Sequence, residues 1–123
     1  MTSQDIRTAQ RFGVLDRIQK LEQELSGIAC VRKVEFDLNP FESHSWQVIF
    51  LLEYDVPLNL PNEEYWNARA KIKEDAVEIS RRNDLLNSGD RIEDMGRHFY
   101  FVRNCGDSWR QVLEESWRKY ASA

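Results

Sequence analysis

Residues 46–56 read WQVIFLLEYDV. Trp46, Val48, Phe50, Leu52, Tyr54 and Val56 fall on alternate positions, the period of a β-strand that turns one face to a core. The opposite face should then be polar, yet it carries Ile49 and Leu51 before it reaches Glu53 and Asp55. Both faces of this strand therefore need cover, from a helix of the same chain or from another chain.

Upstream, Val34, Phe36 and Leu38 alternate with Lys33, Glu35 and Asp37, a second strand with one wet face that Asn39-Pro40 closes. Seven residues separate the two runs, which fits a hairpin with a long loop. Before them, Ile6, Val14, Ile18, Leu21 and Leu25 recur at helical spacing, so the pattern predicts one amphipathic helix from Gln4 to Leu25, stopped near Gly27.

Downstream, Asn62 is expected to cap a helix whose first turn holds Glu63 and Glu64 and whose apolar stripe is Tyr65, Ile72, Ala76 and Ile79. Ser88-Gly89-Asp90 ends that region, residues 91–95 suit a short partner strand, and His98 to Val102 reads as a further strand. Asp107 or Ser108 is then the expected cap of a last helix carrying Trp109, Val112, Leu113, Ser116, Trp117 and Tyr120. The order α-β-β-α-β(-β)-α predicts an α+β fold. Its sheet has three or four mostly antiparallel strands, packed with three amphipathic helices in one domain over residues 1–123. A sheet face in contact with Phe50 has room for about two such helices, which leaves the Ile49 and Leu51 side unaccounted for.

Composition narrows the function. The chain has 123 residues, 41% hydrophobic and 31% charged, enough for a core without metal or disulfide staples. Its longest apolar run, Val48 to Leu52, is far shorter than the roughly 20 residues of a membrane helix. The opening Met-Thr-Ser-Gln-Asp lacks a secretory pattern, so the expected location is the cytoplasm, with Cys30 and Cys105 as free thiols. The net charge of -4 is concentrated in residues 46–80, where seven acidic side chains face three basic ones. That balance argues against a nucleic-acid partner.

Four candidate sites follow. Cys105-Gly106-Asp107-Ser108 places a thiol at a helix N-terminus, where the dipole and nearby Arg103 and Arg110 would lower its pKa; the alternative is a small buried residue. Arg97 to Asn104 partly resembles the RNA-binding octapeptide of RNA-recognition domains at Arg97, Phe99, Phe101 and Val102. His98, Tyr100 and Asn104 depart from it, and strand-core aromatics are the preferred reading. Glu53, Asp55, Glu63 and Glu64 form an acidic edge suited to a basic partner. Trp66, one position off the Tyr65 stripe, is expected on the surface.

His44 and His98 are the only histidines, and Asp94 with His98 gives two ligands at most, so no metal or cofactor is expected. The glycines form no phosphate loop. The expectation is a non-enzymatic, acidic, homodimeric interaction module, serving as an adaptor, a specialised chaperone or an inhibitor of a basic partner. It binds through Ile49, Leu51, Trp66, Glu53, Asp55, Glu63 and Glu64. The alternative is a thiol-dependent enzyme or redox sensor centred on Cys105.

Overall fold

The alternation around Phe50 builds the middle of a four-stranded sheet. In the computed structural model the elements are α1 (Ser3–Arg11), α2 (Leu15–Ser26), β1 (Val31–Leu38), β2 (Gln47–Tyr54), α3 (Asn62–Arg82), β3 (Leu85–Asp94), β4 (His98–Cys105) and α4 (Asp107–Ala121). The structure describes residues 3–38, 46–94 and 96–121, and of Leu38, 87–94, Tyr120 and Ala121 the backbone alone. The expected hairpin loop 39–45, with His44, lies outside the described residues. Strand order is β1-β2-β4-β3 with every neighbouring pair antiparallel. β2 and β3 thus run parallel with β4 between them, and α3 spans the gap. The α+β class and the antiparallel sheet agree with the sequence pattern.

One helix expected at the N-terminus is two. Phe12 and Val14 are both fully buried, although residues two apart on a helix point in nearly opposite directions. The chain breaks between them, with Gly13 at φ +70°, a left-handed conformation that costs glycine little. Ser116 of α4 donates its hydroxyl to the Phe12 carbonyl at 3.2 Å, so α4 docks on the break. The third strand also differs from expectation. It runs from Leu85 to Asp94 through Ser88-Gly89-Asp90, with a register irregularity between Asn87 and Ile92. The tripeptide falls inside that irregularity, between two stretches that pair with β4, so its turn propensity appears as a bulge within the strand.

Phe36, Phe50 and Phe101 occupy one cross-strand row, with ring centroids 5.7 and 4.7 Å apart. Onto this face pack Ala9 of α1, Ile18, Leu21 and Leu25 of α2, Ile72, Ala76 and Ile79 of α3, and Trp109 and Leu113 of α4. Burying each larger side chain is worth about 1.5–3 kcal/mol. The expectation of two helices per face is corrected: all four share one face. They fit because, among the described side chains, α1 contributes only Ala9 and α4 only Trp109 and Leu113 to the buried set. Among the described residues no helix is long and apolar enough to cross a membrane.

Candidate functional site

With every helix on the Phe50 side, the other face of the sheet is built from strand residues alone among those described. Its rows follow from register. Asp37, Ile49 and Val102 form one, Glu35, Leu51 and Tyr100 the next, and Lys33, Glu53 and His98 a third, with Gln47, Asn104 and Leu86 at the far end. Ile49, Leu51 and Tyr100 are half-buried, whereas Leu86 is 51% exposed. Sequence reasoning left Ile49 and Leu51 facing water; the structure leaves each only partly exposed. Val102, in the row with Ile49, is buried and stands outside the core cluster, so it adds no exposed surface to this face. The Gln47 amide donates to Asn104 at 3.0 Å and closes one end. Along β1 the Lys33 ammonium pairs with Glu35, which raises the lysine pKa and lowers that of the carboxylate. An apolar strip flanked by charge is the result. Tyr100, Val102 and Leu86 were missed in the sequence because their strands were not yet placed beside Ile49 and Leu51.

The acidic residues gather at the opposite end of β2 in a different arrangement. Arg32, the extra residue of a bulge in β1, reaches Glu53 at 3.1 Å and neutralises it. Asp55, Glu63 and Glu64 are exposed and form no ion pair among the described residues. Asn62 does not cap α3. It is the first helical residue, and Pro61 stands at the cap with no side-chain bond. Next to this helix start opens a cleft of about 410 Å³ walled by Tyr54, Val56, Leu58 and Tyr65, with Arg97 and His98 opposite. Trp66 is on the surface as expected, 57% exposed. Beneath it lies Arg69, 6% exposed, its guanidinium 4.6 Å from the Trp66 ring and within 6 Å of Tyr54, Tyr65 and Phe99. Arg69 Nε donates to Tyr54 Oη at 2.7 Å, and that hydroxyl donates to the Gly96 carbonyl at 2.6 Å. Cation–π and hydrogen-bond contacts thus replace the water that a buried guanidinium loses.

Cys105 sits at the start of α4, but the environment reverses the expected chemistry. Burial pushes its thiol up to about 12, outweighing the positive charge of Arg110 and Arg17. Arg103 does not serve the thiol: it is buried on the core face with its guanidinium over Phe101 at 5.5 Å. The site therefore offers no thiolate near neutral pH. The helix start is instead held from outside. Neither Asp107 nor Ser108 is the cap, because Asp84, 24 residues upstream, accepts from the Ser108 N–H at 3.0 Å and from its hydroxyl at 2.6 Å. Asn83 O accepts from Trp109 Nε1 at 2.6 Å. Phe99 and Phe101 belong to the core, so the 97–104 strand has no aromatic platform there for bases. The chain matches no family model, no curated protein and no solved structure.

Proposed function

We propose that the chain is a non-enzymatic interaction module of the cytoplasm. It self-associates through the helix-free face of its sheet and presents its acidic edge to a basic partner. The observation that carries this reading is the partly exposed apolar strip Ile49, Leu51, Tyr100 and Leu86, with four helices spent on the other face. Four strands about 4.8 Å apart and some 27 Å long cover roughly 500 Å² in plan, and a corrugated face of that size approaches the ~800 Å² per partner of a stable interface. A second copy is the occupant whose face has this size and shape by construction, and a twofold contact closes without leaving a further surface open. The mixed signs of Lys33, Glu35 and Asp37 along β1 let the rim of one copy meet the other without a row of like charges.

Light scattering tests it. The expected mass is near twice 14.6 kDa, and Leu51→Lys should restore the single-chain mass while leaving helical circular dichroism unchanged. A wild type that remains single up to about 1 mM, where a contact worth only ~4 kcal/mol would register, sinks the self-association.

A further inference from the structure

We infer that the pocket between α2, the end of α3 and the start of α4 binds a phosphate-sized oxyanion, held by Arg17, Lys20 and Arg82. The site goes beyond the association reading and uses neither the free sheet face nor the acidic edge. Its cavity is about 170 Å³, roughly the space of five or six waters, which suits a single tetrahedral anion. The charged lining is three cations and one carboxylate, Asp84. It therefore has a sign, unlike the cleft beside α3, where Arg32 and Arg97 offset Glu53 and Asp55. The positive end of α4 is not the source of that sign. Asp84 Oδ2 already accepts from the Ser108 N–H and hydroxyl, and the same carboxylate fills the space that a Cβ on Gly106 would take. What remains is side-chain charge.

Arg17 carries the argument. It is half-buried and forms no ion pair among the described residues. Its Nη1 donates to Ser108 Oγ at 3.1 Å, and its guanidinium lies 5.6 Å from the centre of the Trp109 ring. Both supports are themselves fixed, Ser108 by Asp84 and Trp109 by its Nε1 bond to Asn83 O at 2.6 Å. A guanidinium has five N–H donors, so a partly desolvated one, held in place with a single hydroxyl as acceptor, is short of a counter-charge. Lys20 and Arg82 reach the same pocket from α2 and from the last residue of α3. They approach Glu24 only to 3.9 and 3.8 Å, too long for hydrogen bonds, and Glu24 Oε2 accepts from the Asn83 amide at 3.1 Å instead. With Glu24 included, three cations still face two carboxylates. An oxyanion supplies the missing acceptors: two oxygens for the planar fork of Arg17 and the rest for Lys20 and Arg82.

The test titrates the whole, isotope-labelled protein with sodium phosphate at constant ionic strength, with chloride and acetate as comparisons. Phosphate should shift the amides of Ser108 and Trp109 and the Trp109 indole N–H saturably, with an affinity at least about tenfold above either monovalent anion. Arg17→Gln, with unchanged circular dichroism, should weaken binding at least about tenfold. The double variant Lys20→Gln, Arg82→Gln should do the same, and both of its positions are exposed, so the core is left intact. Methyl phosphate separates the sources: affinity equal to that of phosphate assigns the site to the end of a larger phosphomonoester, and lost affinity assigns it to the free ion. Absence of a saturable shift with either phosphate up to ~0.1 M, a hundredfold above a millimolar site, overturns the inference. So does a response that chloride or acetate matches, or full affinity in both variants. A single-chain mass in light scattering would remove self-association without touching this result.

Discussion

Gly106 and Asp84 should be energetically one unit. The Gly106 carbonyl accepts from Arg110 N at 2.9 Å, so Gly106 is the residue that caps α4 and Ser108 is the second helical position. A capping side chain at 106 would bond the Ser108 N–H. That bond is made by Asp84, and a Cβ built on Gly106 would collide with the Asp84 carboxylate. The carboxylate of residue 84 thus stands where the side chain of residue 106 would be. Asp84→Gly removes the cap, worth about 1 kcal/mol, and a negative charge at a helix N-terminus, worth about 0.3–1 kcal/mol. Its φ of +59° favours glycine over aspartate, so relief of that strain offsets part of the loss and the measured change is a lower bound on the cap. Gly106→Ser displaces the carboxylate and should cost a similar amount. Combined, the serine caps the helix locally, and the double variant should return to within about 1 kcal/mol of wild type. Urea unfolding of the four proteins yields the coupling directly, and ~1 kcal/mol corresponds to roughly 4 °C in melting temperature. If the double variant loses the sum of the two single losses, the two residues do not share the capping position and the reasoning fails.

Two further outcomes follow from the same helix and its neighbours. The Cys105 thiol, raised to about 12 by burial, keeps its proton in the folded chain while the unfolded thiol loses it near about 8.5. Stability should therefore fall as pH rises above that value, by about 1.4 kcal/mol per unit relative to Cys105→Ala; parallel stability curves would show that the thiol is not desolvated. Gly13→Ala forces a side chain into a left-handed residue 3.2 Å from Val112 Cγ1. It should destabilise by about 1–2 kcal/mol in denaturant unfolding, and an unchanged midpoint would mean that the break between α1 and α2 relaxes freely.

Which features could be read beforehand depends on how far apart the deciding residues lie in the chain. The central strands declare themselves because Val34 to Leu38 and Trp46 to Val56 each carry their own alternation, and the off-stripe position of Trp66 likewise needs only its helix. The break at Gly13 does not, because Phe12 and Val14 show their conflict only once both are known to be buried against one core. β3 is hidden for a related reason: Ser88-Gly89-Asp90 reads as a turn that ends the segment, whereas it is an irregularity between residues 85–87 and 92–94, and only pairing with β4 joins these into one strand.

The reversal at Cys105 is the clearest instance. A cysteine before a helix announces the dipole, which is local and lowers the pKa, while the burial that raises it comes from elements scattered along the whole chain. The helix terminus is also already occupied by Asp84, whose carboxylate takes the N–H that would otherwise face an anion. Local chemistry is thus spent on holding α4 in place. The apolar groups left free to meet something else are those that the core does not use: the second face of β2 and the ring of Trp66. Both lie where the sequence carries large apolar side chains in excess of what one buried face can absorb, and such an excess is what the proposed association would bury.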